Sequence, residues 1–201
     1  MIGKVRLILW ALVALAGIAF FYLQFRHPPQ QTAQRSVTEM PVFEIGGPFT
    51  LTGSDGKPFS SASLAGKPYA IFFGFTHCPD VCPTTLSRLT RLRKQLGQGD
   101  SAFDILFVTV DPERDGPKEV GAYSGLFGTP ITGLTGTPQQ IDQVKKQFGI
   151  FSEKVPMKGG DYSVNHTATV ILMGKDGKFL ATIAPEENDE AALAKLKRLT
   201  A

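Results

Sequence analysis

The sequence contains few of the residue types that usually carry chemistry. Its 201 residues include two cysteines, three histidines and one tryptophan. No Cys-x-x-Cys-His motif occurs, which excludes covalent haem attachment, and no plausible Ser, His and Asp triad is present, which argues against a hydrolase. The two cysteines, Cys78 and Cys82, are therefore the most informative residues in the chain.

Residues 1–35 lack acidic side chains altogether. The basic residues of this stretch are Lys4, Arg6, Arg26 and Arg35, and these four exceed the net charge of +3 of the whole chain. The remainder is therefore close to neutral and does not have the basic surface that nucleic acids require. No nucleic-acid partner is predicted.

A membrane anchor is predicted at the N-terminus. Residues 7–23 carry no charge, and their number is close to the ~20 apolar residues of a bilayer-spanning helix. Lys4 and Arg6 precede this segment and Arg26 follows it, so the positive-inside rule predicts a cytoplasmic N-terminus. A cleaved signal peptide is the alternative, but its apolar core usually has only ~7–15 residues. We therefore expect residues 1–26 to anchor the chain in the inner membrane.

Two further segments are predicted after the anchor. Residues 27–42 are rich in Pro, Gln, Thr and Ser, as is typical of a flexible tether. Residues 43–201 have the length and composition of one globular domain. With the orientation given above, this domain lies in the periplasm.

The apolar patterns of the domain predict an α/β fold. A hairpin is expected around the Asp-Gly turn at Asp55. Buried or half-buried strands are predicted over residues 69–75, 104–110, 168–173 and 179–183, and helices over residues 86–96, 118–127, 137–148 and 189–199. This order predicts a mostly parallel sheet with helices on both faces and an antiparallel edge. Since sites in such sheets lie at the carboxyl ends of strands, Cys78 and Asp111 are expected at the same edge of the sheet.

The cysteines follow the first predicted buried strand, in Cys78-Pro79-Asp80-Val81-Cys82-Pro83. A disulfide between them would close a loop too small to stabilise much, so a chemical role is favoured over a structural one. At the N-terminus of the following helix, the helix dipole would favour the thiolate form. Thiolates select Cu(I), zinc or an iron–sulfur cluster.

Three histidines could complete such a site. His27 lies in the predicted tether, and His77 would point away from Cys78 in an extended backbone and is expected to be exposed. His166 directly precedes the predicted strand 168–173, and is the better third ligand. Met157, in a predicted loop over residues 153–161, is expected to face solvent or a partner protein.

Three motifs in this order resemble the Sco/SenC family of copper chaperones: Cys78-Pro79-Asp80-Val81-Cys82-Pro83, Asp111-Pro112-Glu113-Arg114-Asp115 and Tyr162-Ser163-Val164-Asn165-His166-Thr167. The resemblance implies a thioredoxin-like fold and one copper ion, bound by Cys78, Cys82 and His166. It also implies a role in delivering copper to, or reducing the cysteines of, the copper A site in subunit II of cytochrome c oxidase, with another periplasmic protein as copper donor. Gly116 replaces a threonine that many family members have at that position.

Several alternatives remain at this point. A thiol–disulfide oxidoreductase would use Cys78 and Cys82 as its redox pair, although such catalysts have two residues between the cysteines rather than three. A peroxidase of the peroxiredoxin kind is less favoured, since Thr76 is two residues before Cys78 rather than three. A copper carrier without enzymatic turnover is the preferred prediction.

The second motif is expected to have a structural role. Asp111, Arg114 and Asp115 are interpreted as a helix-entry cap and a local ion pair rather than as ligands. A hydrogen bond from His166 to Asp111 is considered but not favoured.

Overall fold

A computed structural model of the chain describes residues 2–25 and 44–201. The chain divides into two compact units, Met1–Phe43 and Glu44–Ala201. The first contains helix α1, Ile2–Phe25. Within the described residues, no helix has both the length and the hydropathy needed to cross a bilayer. The predicted anchor therefore stays a prediction, and the predicted tether lies outside the described residues.

The second unit is an α/β domain, and its elements follow in chain order. The strands are β1 Thr50–Gly53, β2 Pro58–Ser60, β3 Tyr69–Gly74, β4 Asp104–Thr109, β5 Thr132–Thr135, β6 Ser152–Pro156, β7 Tyr162–His166, β8 Val170–Met173 and β9 Phe179–Ile183. The helices are α2 Val81–Gln95, α3 Pro117–Ser124, α4 Pro138–Phe148 and α5 Asp189–Thr200. Each predicted strand and helix of the domain is present, with ends shifted by a few residues.

The main sheet has seven strands in the order β2-β1-β5-β4-β3-β8-β9. Only β3, β4 and β5 run parallel to one another. Strand β1 pairs antiparallel with β5 and β2, and β8 pairs antiparallel with β3 and β9. The sheet is therefore mixed, and the prediction of a mostly parallel sheet was wrong.

Two features of the domain were not predicted. Strand β5 extends the parallel part of the sheet beyond β4. Strands β6 and β7 form a separate antiparallel ribbon, so the predicted loop over residues 153–161 is wrong for Glu153–Pro156, which pair with β7. His166 is consequently the last residue of a strand rather than part of a loop.

Helices cover both faces of the sheet, as predicted. All six residues of β3 are buried, and consecutive side chains of a strand point to opposite faces. The Phe73 ring packs on Phe148 of α4, with 5.6 Å between ring centroids, whereas Gly74 faces Cys82 of α2. Helices α2 and α4 therefore lie on opposite faces.

Local signals explain where the helices begin and end. Thr137 and Gln140 form a capping box at the start of α4, Pro138 occupies its first turn, and Gly149 ends it in the left-handed conformation with φ of 66°. Asn188 caps α5 by accepting a hydrogen bond from the Ala191 N–H at 2.8 Å. These signals account for the accuracy of the predicted helices.

Candidate metal centre

The two cysteines lie where β3 ends and α2 begins. The Cys78 N–H donates to the carbonyl of Phe75 at 3.2 Å, which forms a tight turn, and Cys82 is the second residue of α2. Gly74 leaves the space that the Cys82 sulfur occupies, since a Cβ at this position would lie 2.8 Å from Sγ. The end of β3 therefore fixes the depth at which this sulfur is buried.

The two sulfurs differ in exposure and charge. Cys82 is fully buried, whereas Cys78 is 8% exposed. The Cys82 side chain donates a hydrogen bond to the Cys78 sulfur, and this bond lowers the pKa of Cys78 from 9.0 to about 4. Burial opposes the change, while the N–H groups of Cys82 and Asp80 support it. The same hydrogen bond, together with burial, raises the pKa of Cys82. The two shifts favour the thiolate at Cys78 and the thiol at Cys82.

The start of α2 favours this thiolate. The Cys82 N–H points at the Cys78 sulfur, with 3.3 Å from N to Sγ, and the positive end of a helix dipole stabilises a negative charge. Cys78 and Cys82 are both free rather than joined in a disulfide. The predicted position of the thiols at a helix N-terminus is confirmed.

His166 approaches the sulfurs from the end of β7. Its Nε2 lies 3.4 Å from Sγ of Cys82, and the potential ligand atoms of Cys78, Cys82 and His166 all lie within 4.8 Å of one another. Nδ1 lies 3.0 Å from the carbonyl oxygen of Thr167. Because a carbonyl can only accept a hydrogen bond, Nδ1 carries the proton and the lone pair of Nε2 faces the sulfurs.

Aromatic rings restrict the orientation of the His166 side chain. The rings of Phe72 and Phe75 contact the imidazole edge-on, with centroid distances of 6.1 and 5.8 Å. Packing against these two rings and a hydrogen bond to Thr167 thus hold the His166 ring in one orientation. The structure brings together the three side chains that the sequence singled out.

The ribbon that carries His166 is fastened to the loop after β4. The buried carboxylate of Asp111 accepts hydrogen bonds from the Tyr162 hydroxyl at 2.9 Å and from Nε of Arg114 at 2.5 Å. Arg114 also donates to the Tyr162 carbonyl at 2.9 Å and to the Asp161 carboxylate at 3.1 Å, and its guanidinium lies 3.8 Å from the Tyr162 ring centroid. We call Asp111, Arg114 and Tyr162 the ribbon clasp.

The clasp bears out part of the prediction for the second motif. The ion pair between Asp111 and Arg114 is confirmed. The helix-entry cap is wrong, because Gly116 occupies the cap position of α3 and no side chain caps it. His166 bonds to Thr167 rather than to Asp111, as expected. Tyr162 was missed, although its spacing of four from His166 places both side chains on one face of a strand.

Asp115 supports the turn that carries Cys78. Its fully buried carboxylate accepts hydrogen bonds from the Thr76 N–H at 2.8 Å, the Thr76 hydroxyl at 2.6 Å and the Thr109 hydroxyl at 2.6 Å. The ends of β3 and β4 are thereby joined directly beneath the cysteine turn. The sequence around Asp115 does not distinguish an aspartate that supports this turn from one that caps a helix.

The remaining candidates are peripheral. His77 has an exposed side chain, with Nδ1 3.1 Å from the Thr76 hydroxyl oxygen. Met157 is 56% exposed, in the turn between β6 and β7. Both agree with their predicted exposure. His27 lies outside the described residues.

The donor set fits a soft metal ion. Two sulfurs and one imidazole nitrogen converge, and this combination suits Cu(I) or zinc rather than ions that prefer oxygen. A surface cleft opens beside the site and is lined by Phe75, by residues 78–81 and by residues 163–166. The arrangement can therefore hold one soft ion with an open side toward solvent.

Comparison with known proteins identifies the family of the chain. The sequence model of the SCO1/SenC family matches residues 37–201. The mitochondrial protein SCO2 of Saccharomyces cerevisiae is 34% identical over 192 residues, which cover 93% of this chain and 64% of that protein. The chain spans 46–64% of the length of three mitochondrial relatives, SCO2 included.

Solved structures of similar proteins cover the domain. ScoI of Bradyrhizobium japonicum, solved with copper bound, is 43% identical with a TM-score of 0.69, and the match covers 77% of this chain and 99% of that one. BsSco, described as a member of the Sco family of cytochrome c oxidase assembly proteins with a disulfide switch, is 28% identical with a TM-score of 0.61, covering 80% and 95% of the two chains. The fold is accordingly thioredoxin-like, and the chain belongs to the SCO1/SenC family.

Proposed function

We propose that this protein is a copper carrier that binds one copper ion through Cys78, Cys82 and His166 and delivers it to the copper A site in subunit II of cytochrome c oxidase. The observation that carries the proposal is the convergence of three soft donor atoms within 4.8 Å of one another. Copper-bound ScoI and the oxidase-assembly role given for BsSco support it. Copper is here the cargo of the protein.

The site is suited to both binding and release. A thiolate at Cys78, a bare Nε2 on His166 and a second sulfur provide three ligands without an oxygen donor, as Cu(I) prefers. Cys78 borders the cleft, while Cys82 is sealed behind it. An incoming thiolate can therefore reach the ion from the Cys78 side before the bonds from copper to the ligands of this protein break.

A copper titration of the full chain tests the proposal. Cu(I) affinity is measured by competition with a chromophoric chelator on the parent, on His166→Ala and on His77→Ala as the matched control. We expect about one copper per chain. Removing a residue that only supports a ligand typically lowers metal affinity 10–100-fold, and removing a direct ligand should lower it further. We therefore expect His166→Ala to weaken Cu(I) binding at least about 100-fold. The control His77→Ala should leave Cu(I) binding unchanged. Equal affinity of the parent and His166→Ala would overturn the ligand assignment.

Redox exchange is the second candidate function. It is favoured by the low pKa of Cys78, because a thiolate is the attacking form in disulfide exchange, and by the disulfide switch described for BsSco. The copper-free protein would then reduce a disulfide in the oxidase copper site. Reduction of a disulfide peptide at the same rate by the parent and by His166→Ala would favour this function over copper delivery.

The location of the protein is also part of the proposal. The uncharged segment 7–23 with Lys4 and Arg6 before it supports a single membrane anchor with the domain in the periplasm. The chain should then remain in the membrane fraction after alkaline carbonate extraction, and added protease should degrade the domain in spheroplasts. Release by carbonate would contradict the anchor.

A further inference from the structure

One edge of β7 has no strand beside it in the described part of the chain. The ribbon consists of β6 and β7 alone. Its main-chain hydrogen bonds include Thr167 N–H to the Phe151 carbonyl at 3.0 Å and Met157 N–H to the Asp161 carbonyl at 2.8 Å. In an antiparallel pair the bonded positions alternate. The N–H and C=O groups that point away from β6 therefore belong to Tyr162, Val164 and His166.

This free edge borders the cleft beside Cys78. Four consecutive residues of the ribbon, 163–166, line the cleft. Their side chains alternate between two faces, so all four can line one cleft only if the edge of the strand faces it. No residue of β6 is among the described lining residues. The main chain of Val164 and His166 thus faces the turn that carries Cys78.

The unpaired stretch is short and has a defined end. At Tyr162 both main-chain groups are already bonded, the N–H to the Asp161 carboxylate at 2.7 Å and the carbonyl to Arg114 at 2.9 Å. Neither the N–H nor the C=O groups of Val164 and His166 have a hydrogen-bonding partner among the described residues. Two donors and two acceptors are therefore available, next to the more exposed of the two sulfurs.

We propose that β7 is the docking edge for an extended, cysteine-bearing segment of the copper acceptor, which pairs with Val164 and His166 as a third strand of the ribbon. Alternating N–H and C=O groups at the spacing of a strand are matched by another extended chain, whereas the main chain in the interior of a helix has no free groups to offer. The inference rests on the proposed function and deepens it. The added strand would place the acceptor cysteine across the cleft from Cys78.

The exchange that this pairing assists is a ligand substitution. The acceptor thiol loses its proton and forms a sulfur–copper bond, and the bonds from copper to Cys78, Cys82 and His166 break. The proton passes to the pair of cysteine sulfurs that the ion leaves. Copper remains Cu(I), and no electron is transferred. Docking thus requires only the acceptor segment itself.

The test uses the full chain and a seven-residue peptide with a central cysteine flanked by alternating threonine and valine. Three forms are compared: the unmodified peptide, one N-methylated at the even-numbered amides and one N-methylated at the odd-numbered amides. Successive N–H groups of a strand point to opposite sides, so only one methylated form loses the donors that face β7. The two forms are matched controls for each other, whichever register the peptide adopts.

Two readouts are recorded. With copper-free protein, amide hydrogen exchange reports protection of the Val164 and His166 N–H groups. With Cu(I)-loaded protein, the rate of copper transfer to the peptide is measured. We expect the unmodified peptide and one methylated form to protect both amides and to take up copper at similar rates. The other form should protect neither amide and should react at least about tenfold more slowly, because two hydrogen bonds are lost.

The outcomes separate this inference from the proposed function. Copper transfer with equal rates for the two methylated forms, or without protection of Val164 and His166, would overturn strand docking and leave copper delivery intact. Protection of both amides in a chain that fails to bind copper would support docking while overturning copper delivery.

Discussion

Replacing Tyr162 by phenylalanine tests how the ribbon clasp positions His166. The change removes only the hydroxyl, which donates to the buried Asp111 carboxylate at 2.9 Å. Hydrogen bonds to charged groups contribute roughly 1.5–3 kcal/mol. Since Asp111 keeps its bond to Arg114 at 2.5 Å, we expect the lower value, a loss of about 1.5 kcal/mol in the free energy of unfolding.

The same substitution should weaken copper binding. Tyr162 and His166 lie on one face of β7. When the ribbon is held less firmly, the His166 imidazole is less ordered in the copper-free protein. Copper binding must then order this ring, which reduces the free energy of binding. If all of that loss appears in binding, Cu(I) affinity falls about tenfold. Urea unfolding of the copper-free chain gives the first quantity, and chelator competition gives the second.

The matched control is Ser163→Ala, on the opposite face of the same strand. This change also removes one hydroxyl but leaves the clasp intact. The free energy of unfolding and the free energy of Cu(I) binding should therefore both stay within about 0.5 kcal/mol of the parent values. A Tyr162→Phe variant that matches the parent, or that loses no more affinity than Ser163→Ala, would refute the positioning role of the clasp.

Three further predictions concern the cysteine turn. Alkylation of Cys78 by iodoacetamide should rise with pH through a midpoint of about 4 and then level off, because the thiolate forms above that pKa; a midpoint near 9 would contradict the charge assignment. Gly74→Ala should lower the free energy of unfolding by about 1–3 kcal/mol and weaken Cu(I) binding, because its Cβ would lie 2.8 Å from the Cys82 sulfur, whereas Gly125→Ala, with no atom within 4 Å, should change neither quantity. Asp115→Asn should cost about 2–3 kcal/mol in urea unfolding, since its amide cannot accept all three hydrogen bonds; a cost below about 0.5 kcal/mol, typical of surface changes, would argue against its role beneath the turn.

The sequence predicts those elements whose signals are local. The apolar runs that form β3 and β4 are continuous and bounded, and the capping residues Thr137 and Asn188 mark the starts of α4 and α5. In the same way, two cysteines at a helix start define half of the site within five residues. None of these features depends on contacts made far along the chain.

The missed elements depend on distant partners. Strand β5 has only four residues, including Gly133, and it exists because β4 and β1 pair with it on either side. Strand β6 contains two charged residues and a proline, so neither alternation nor apolar content indicates it; its pairing with β7 stabilises it. The direction of β8 is likewise set by its pairing with β3 rather than by its own residues.

The residues of the site also differ in whether a local sequence signal identifies them. Cys78 and Cys82 were identified from their spacing, whereas the choice of His166 as a ligand also rested on the resemblance to a family. The hydrogen bond from Tyr162 to Asp111 joins residues 51 positions apart, and no single segment reveals it. A ligand can be recognised from its residue type, but the contacts that orient it become visible only in three dimensions.

The proton held by the cysteine pair sets the direction in which copper loading responds to acidity. The pKa of Cys78 is lowered and that of Cys82 is raised, each mainly by the hydrogen bond between the two side chains. A copper ion that takes both sulfurs as ligands must displace the proton that Cys82 retains, because a metal binds the deprotonated form of a thiol. The apparent association constant should therefore fall as the pH falls, and an acidified compartment would favour the copper-free form.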